Sequence, residues 1–281
     1  MADRRKDSQE SWRLSGQYRR PVVLLDIRQV IGRLSLIGLS HVGRVARLTL
    51  EIIRGLPEWR TWVPLAFEQA RSIGYGSLFI VILTSAFAGA VVSLQAAYQW
   101  VTGSIPIYYA AGVIVQSIML ELGPVLTALL LAGRIGARYA AELGTMRVTE
   151  QVDALESLGR NVISYLVIPR VVAGTLMLPV LVVIADIVGI GAGWWAAKST
   201  LGMTNADFYK GALYFFQPFD PYYSMIKSFF FGLAVTIVPC YLGMSTQQGA
   251  EGVGRSTTGA VVSASVMILF LDAALTQILL K

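Results

Sequence analysis

The chain has 281 residues, of which 55% are hydrophobic and only 14% are charged, and it carries a net charge of +6. An ordinary soluble domain has roughly 25% charged residues, so the composition excludes a soluble enzyme as the first interpretation and indicates a protein embedded in lipid. A single cysteine and a single histidine exclude an intramolecular disulfide framework and leave too few ligands for a zinc, haem or iron–sulfur site.

The N-terminal quarter of the chain is basic. Residues 1–72 hold 13 of the 23 Lys and Arg but only 7 of the 17 Asp and Glu, so they carry the whole net charge. Basic flanks beside apolar segments mark the cytoplasmic side of a membrane. Residues 1–20 lack the apolar run of a signal peptide, and we interpret them as a polar cytoplasmic extension, with disorder as its simplest description.

Residues 21–72 repeat apolar side chains among arginines at near-helical spacing. This pattern predicts amphipathic helices that lie in the membrane interface. The basic residues lack interleaved aromatics, which argues against nucleic acid as a partner and favours the anionic lipid surface.

The first two spans are predicted from an absence of charge. No charged residue occurs from Ser72 to Leu120, a run of 49 residues, whereas one spanning helix needs about 20. Two helices must share this run, and the sequence Thr-Gly-Ser-Ile-Pro at 102–106 suits the turn between them. We therefore predict spans at about 74–101 and 107–146, the second of which ends in arginines on the cytoplasmic side.

Three further apolar segments follow at about 163–197, 225–245 and 256–280. Polar and aromatic residues over 198–224 indicate an external loop. The sequence thus predicts an all-α integral membrane protein with N-terminal interfacial amphipathic helices and five transmembrane helices. The N-terminus would be cytoplasmic and the C-terminus external.

A short acidic segment separates the second and third spans. Thr149 can cap a helix, Glu150 suits the helix N-terminus, and Gly159 can end it. The apolar side chains recur at three-residue spacing as Val152, Leu155 and Leu158. The pattern alone leaves a docking helix and a solvated connector as alternatives.

Ionisable residues inside spans are costly and usually face a partner or a cavity. Those expected in the external half are Glu121, Asp186, Lys227 and Asp272. We predict that they form one polar cluster, either a cavity that binds a lipid headgroup with Lys227 on the phosphate, or buried ion pairs that fix helix packing. Gly123 and Pro124 favour the cavity, because a broken helix at membrane depth is tolerated where it lines one.

Small residues recur at four-residue spacing, which lets helix backbones approach closely in lipid. They are Gly133, Gly136, Ala137, Ala140, Gly189 and Gly193. Packing within one subunit and an interface between two copies both fit this pattern. Tyr98, beside the predicted external turn, suits an aromatic anchor at the interface or the lining of a lipid path.

Catalytic chemistry finds little support in the sequence. Gly249–Ser256 has the glycine spacing of a phosphate-binding loop, but Arg255 stands where lysine is required and a span precedes it. We expect these glycines to form a cytoplasmic turn into the fifth span. There is no nucleophile elbow or His-Glu-x-x-His pattern, and His41 lies in the basic amphipathic segment. We therefore expect no catalytic residue, no metal site and no cofactor on this chain.

Two long motifs carry a family resemblance. One runs from Glu121 to Arg170, ELGPVLTALLLAGRIGARYAAELGTMRVTEQVDALESLGRNVISYLVIPR, and the other from Gly249 to Thr276, GAEGVGRSTTGAVVSASVMILFLDAALT. Both resemble the MlaE or YrbE permeases, the membrane subunits of ABC transporters that work with MCE-domain proteins. Weaker similarity covers about residues 65–280, and the implied permease domain is 73–281.

The resemblance implies a non-catalytic, homodimeric permease of the inner membrane that moves lipids, with phospholipids as the expected cargo. ATP would be hydrolysed by a separate cytoplasmic ATPase, and a periplasmic MCE-domain protein would be the second partner. A sterol or fatty-acid importer of the same architecture and an ion-coupled secondary carrier remain alternatives. The coupling helix of the family falls on the acidic segment, so the residues implied in ATPase coupling are Thr149, Glu150, Gln151, Asp153, Ala154, Leu155 and Glu156.

Overall fold

The structure is a computed structural model that describes residue 40 and residues 43–99, 106–247 and 249–280. The chain forms two compact units, Met1–Ala46 and Arg47–Lys281. In the first unit the described residues are helical, and Arg44 Nε donates a hydrogen bond to the Ser40 carbonyl at 3.3 Å. The predicted extension 1–20, the start of the predicted interfacial segment and His41 lie outside the described residues.

The secondary structure of the described residues is helical throughout. In the second unit the helices are α1 (residues 47–55), α2 (Trp59–Gln99), α3 (Tyr108–Val148), α4 (Gln151–Ser157), α5 (Ile163–Thr200), α6 (Asn205–Phe215), α7 (Asp220–Met244) and α8 (Gly249–Leu279). Five of them, α2, α3, α5, α7 and α8, are long and apolar enough to cross a membrane, which confirms the predicted fold class.

The helix α2 begins at Trp59, well before the predicted start of the first span at 74. Its 41 residues extend about 60 Å at 1.5 Å per residue, about twice the 30 Å of a hydrocarbon core. The difference arises because charge marks where lipid ends, whereas the helix continues beyond the lipid. The predicted turn over 102–106 lies outside the described residues except for Pro106.

The segment predicted as an external loop contains the helix α6. Its start is fixed by a capping box, in which Thr204 Oγ1 accepts from the Asp207 amide and the Asp207 carboxylate accepts from the Thr204 amide. Phe208 is buried with Met203 and with small residues at the first turns of α3. A Cβ on Gly211 would collide with the Tyr108 carbonyl, so the glycine lets α6 lie directly on α3.

The glycine-rich start of the fifth long helix is helical, and the prediction of a turn there is wrong. The helix α8 begins at Gly249, because its small residues pack on the ends of α3 and α7. A Cβ on Gly144 would lie 3.6 Å from Val253 Cγ2. Thr246 Oγ1, just after α7, donates a hydrogen bond to Ser256 Oγ at 2.8 Å.

The helices pack as a bundle with α7 at its centre, in contact with α3, α5 and α8. The most extensive pairing joins α2 to α5. It is closest at Gly89, where an added Cβ would collide with the Gly189 carbonyl, and a Cβ on Gly193 would lie 3.2 Å from the Gly89 carbonyl oxygen. Small residues therefore bring these two helices into backbone contact, as in other lipid-embedded bundles.

Candidate functional site

Glu121 lies where α3 departs from regular helix. Residues Ile118–Leu122 form a π-helical turn, a feature frequent at functional sites. Pro124 follows and has no amide hydrogen to donate to the Leu120 carbonyl four residues earlier. That carbonyl instead accepts a hydrogen bond from Lys227 Nζ at 3.1 Å. The broken helix thus provides one acceptor for the lysine.

Glu121, Lys227 and Asp272 come together from α3, α7 and α8. Lys227 Nζ lies 2.8 Å from Glu121 Oε2 and 2.6 Å from Asp272 Oδ1. The lysine side chain is completely buried, whereas 43% of the Glu121 side chain and 23% of the Asp272 side chain are exposed. Two carboxylates and one ammonium leave this ion-pair cluster with one net negative charge.

The Lys227 ammonium donates hydrogen bonds to the Leu120 carbonyl and to Glu121 Oε2. Asp272 Oδ1 is its ion-pair partner without hydrogen-bond geometry, so three oxygen atoms surround the buried ammonium. A phosphate can therefore contact Lys227 only after one of these partners leaves. The accessible charge of the cluster is the Glu121 carboxylate, whose Oε1 lies 3.5 Å from Thr276 Oγ1. Tyr223 joins the same network through a 2.8 Å hydrogen bond to Thr276.

Asp186, the fourth residue of the predicted cluster, has no ion pair with Lys227. It is buried on α5 and accepts a hydrogen bond from Ser224 Oγ at 3.0 Å, one helical turn from the lysine. Its other oxygen has no hydrogen-bond partner among the described residues, and a Cβ on Gly123 would collide with it. Asp186 thus borders the cluster from α5 without belonging to it.

Tyr98 lies near the end of α2 with 80% of its surface exposed. The ion-pair cluster draws its residues from other helices, so Tyr98 is not brought to it. The position fits an anchor at the edge of the lipid.

The predicted small residues divide by location. Gly136 packs on Pro239 of α7, and Ala140 lies under Gly243 of the same helix. Gly189 and Gly193 pack on α2, as described above. These residues therefore serve packing within the subunit, and the sequence analysis missed their counterpart Gly89. Ala137 is half-buried, while Gly133 is exposed and an added Cβ there would meet nothing within 4 Å.

The helix α4 lies at the turn between α3 and α5. Its first residue follows Glu150, which adopts a left-handed conformation with φ 59°, so the prediction that Thr149 caps the helix is wrong. Thr149 Oγ1 instead donates back to the Thr145 carbonyl at 2.8 Å, because α3 continues to Val148. Gly159, at φ 70°, ends the helix as predicted.

One face of α4 is anchored and the other is exposed. Val152 is fully buried, and Asp153 pairs with Arg147 of α3 at 2.5 Å. Ala154 and Glu156 are exposed, and 77% of the Leu158 surface is exposed as well. The exposed face therefore combines Ala154 and Leu158 with the acidic Glu156.

A second network, which the sequence analysis missed, joins α2, α3 and α5 near α4. Buried Arg170 donates to Glu142 at 3.1 Å and to the Leu166 carbonyl at 2.5 Å. Arg138 donates to the other Glu142 oxygen at 2.6 Å and to Ser72 Oγ at 2.7 Å. Arginine at the start of a span is expected from the positive-inside rule alone, so nothing in the sequence distinguished Arg170.

We expect Arg170→Met to lower the free energy of unfolding by about 2–3 kcal/mol, because it removes the buried hydrogen bonds of Arg170 to Glu142 and to the Leu166 carbonyl while Arg138 stays paired with Glu142. The matched control is Arg138→Gln, which removes an exposed partner of the same carboxylate and should cost less than about 1 kcal/mol. Thermal unfolding of the detergent-purified variants measures both. Equal losses would show that burial of Arg170 adds nothing to the network.

The architecture defines a class of protein. A bundle of five apolar helices holds an ion-pair cluster inside its spans and presents an acidic helix at one end. Among the described residues no group of three or more His, Cys, Asp or Glu could hold a metal ion. Such a chain is a multi-pass membrane protein with ionisable residues inside its spans, a feature that marks substrate or ion pathways in membrane proteins.

Comparison with known proteins identifies the family. The family described as permease MlaE matches residues 66–278. A probable ABC transporter permease protein of Rickettsia bellii is 37% identical over 259 residues, which cover 92% of this chain and 100% of the relative. A probable ABC transporter permease protein of Synechocystis is 41% identical over 210 residues, covering 73% of this chain and 77% of the relative.

A third relative is the chloroplastic protein Trigalactosyldiacylglycerol 1 of Arabidopsis thaliana. It is 35% identical over 235 residues, which cover 84% of this chain and 66% of the relative. The chain belongs to the MlaE family of ABC transporter permeases, which confirms the resemblance inferred from the two motifs. It is the non-catalytic membrane subunit of such a transporter.

Proposed function

We propose that this permease moves phospholipids between membranes, with ATP hydrolysed by a partner ATPase and with an MCE-domain protein on the other side. The observation that carries the proposal is the ion-pair cluster of Glu121, Lys227 and Asp272, with its half-exposed glutamate inside an apolar bundle. The name of the Arabidopsis relative contains that of a galactolipid, which favours a lipid cargo.

The cluster suits a charged headgroup that must be bound and then released. A phospholipid phosphate can replace Glu121 on the Lys227 ammonium, since both are anionic oxygen acceptors. The displaced carboxylate is then free to bind a headgroup ammonium or hydroxyl. When the headgroup carries an ammonium, this exchange leaves each displaced charge beside an opposite one and avoids the cost of a bare charge at membrane depth.

The helix α4 is proposed as the docking site of the ATPase. In this helix (Gln151–Ser157), Ala154 and Glu156 are exposed and Leu155 is partly exposed. Motion of the ATPase on ATP binding would reach α3 through the Arg147–Asp153 pair and through buried Val152. Glu121 lies on α3 as well, so a rigid tilt of that helix changes the cluster.

The remaining parts of the proposal follow from the charge distribution and the family. The basic N-terminal residues and α4 lie in the cytoplasm, and the C-terminus lies in the periplasm of an inner-membrane protein. Two copies of the chain form the transporter, and exposed Gly133 is available to an interface between them.

Affinity purification from the native host in a mild detergent, with mass spectrometry of bound proteins and lipids, tests this proposal. We expect an ATPase, an MCE-domain protein and phospholipid. We expect Glu156→Lys combined with Ala154→Lys to lower the amount of ATPase recovered at least about tenfold. The two lysines replace an acidic and a small side chain with large basic ones in the proposed contact surface. Glu251→Lys, an exposed acid at the start of α8, is the matched control.

The outcomes separate the alternatives. Recovery of a sterol or fatty acid in place of phospholipid would assign the cargo to the importer of the same architecture. Undiminished recovery of the ATPase with the α4 variants would refute the docking assignment.

A further inference from the structure

A groove on the outer face of the α2 and α5 pair lies apart from the ion-pair cluster. It has a volume of about 420 Å³ and is lined by Arg71, Gly74, Tyr75 and Leu78 of α2 and by Met177 and Ile184 of α5, among others. Apart from Arg71 its side chains are apolar or aromatic. A second cavity of about 480 Å³ adjoins it and is lined by Glu68, Arg71, Ser72 and Tyr75.

The two cavities share Arg71 and Tyr75, so together they form one continuous groove with a charged end and an apolar end. We call this combined groove the seat. Within the described residues neither Glu68 nor Arg71 forms an ion pair, and both are exposed. Ser72 is occupied, because its hydroxyl accepts from Arg138 at 2.7 Å. The charged end therefore offers one cation and one anion a single helical turn apart.

The depth of the seat matches one leaflet of a bilayer. Arg71 lies 27 residues before Tyr98 on the same helix, about 40 Å along the axis. A bilayer with its headgroups is about 40–45 Å thick, so Arg71 and Tyr98 lie at opposite headgroup levels. Leu78 lies about 10 Å deeper than Arg71, so the apolar end extends into the hydrocarbon of the leaflet on the α4 side.

Gly74 leaves the floor of the groove open. A Cβ there would lie 2.8 Å from Met177 Cε, the flexible end of a long side chain. A larger residue would therefore fill the groove without pressing on backbone. This makes Gly74 a position at which the groove can be closed while the helices stay in place.

We infer that this seat binds one phospholipid of the α4-side leaflet, with the phosphate on Arg71, the headgroup ammonium at Glu68 and an acyl chain along the groove to Ile184. A headgroup with both a phosphate and a primary ammonium, as in phosphatidylethanolamine, pairs both charges of the seat. The bound lipid is a resident of the protein surface, and its binding does not depend on the proposed transport.

Native mass spectrometry of the full chain in mild detergent, titrated with phosphatidylethanolamine or phosphatidylglycerol, tests the inference. We expect one retained lipid, with a preference for phosphatidylethanolamine. Arg71→Gln should weaken binding about tenfold by removing a charge-assisted contact, and Gly74→Leu should abolish it. Glu68→Gln should remove the preference between the two lipids while one lipid is still bound.

Arg160→Gln, an exposed arginine at the same end of the bundle, is the matched control and should bind as the wild type does. Neutralising Glu121, Lys227 and Asp272 together should leave this lipid bound, which separates the seat from the proposed transport site.

A photocrosslinker at position 180 in native membranes should capture phospholipid, and capture should fall with Arg71→Gln. Retention unchanged by both Arg71→Gln and Gly74→Leu, or crosslinking to a protein helix instead, would overturn the inference.

Discussion

Gly89→Val is expected to disrupt the bundle more than any other single change between its long helices. The added side chain would collide with the Gly189 carbonyl, and the Gly193 backbone lies on the next turn of the same contact. Backbone cannot rotate away as a flexible side chain can, so α2 and α5 must separate along their whole pairing. We expect a loss of about 3 kcal/mol or more in stability, seen as early thermal unfolding and poor recovery of the protein.

Gly191→Val is the matched control. Gly191 lies on α5 between the two packing glycines, is exposed, and an added Cβ there would meet nothing within 4 Å. Both substitutions replace glycine by the same residue within a helix, so helix propensity cancels. Fluorescence-detected size-exclusion chromatography after stepwise heating measures the difference. If the two variants unfold together, the close approach of α2 and α5 is incorrect.

Lys227→Met should destabilise the protein by about 3–5 kcal/mol, because it leaves Glu121 and Asp272 without their buried cation. It should also abolish lipid transfer. Loss of transfer by this variant alone does not separate a structural ion pair from a lipid site, since an unfolded permease transports nothing.

Neutralising all three charges together separates the two roles. The variant with Glu121→Gln, Lys227→Met and Asp272→Asn has no uncompensated charge, and replacing a buried ion pair by neutral groups of similar size is often neutral or stabilising. We expect it to regain the stability of the wild type but not its transfer activity. Normal transfer by the triple variant would mean that the cluster serves packing alone.

Much of the fold could be predicted from the sequence because lipid imposes a strict requirement on charge. The run from Ser72 to Leu120 and the later apolar segments indicated five spans, and counting residues along them placed Glu121, Asp186, Lys227 and Asp272 in the external half of the membrane. Residue counting gives the depth of a residue in the membrane, however, and not the direction in which its side chain points around the helix axis. Asp186 lies at a neighbouring level and bonds Ser224 instead.

The same lack of information about side-chain direction explains why the spacing rule could not tell which small residues contact another helix. Gly133 and Gly136 satisfy one spacing rule, yet Gly136 contacts Pro239 while Gly133 is open. Gly89 brings α2 into backbone contact with α5, and the small-residue repeat that contains it, Ser85, Gly89 and Ser93, was not singled out. The partners of Lys227 also could not be predicted from residue counting, since one of its acceptors is the Leu120 carbonyl, which Pro124 leaves without a helical donor.

The most direct test of the central claim is ATP-dependent transfer of labelled phospholipid by the purified assembly reconstituted in vesicles. The account predicts transfer that requires both ATP and the ATPase and that is lost in the triple neutral variant. Transfer that persists without the ATPase, or that follows a proton gradient in place of ATP, would contradict the account and identify an ion-coupled carrier.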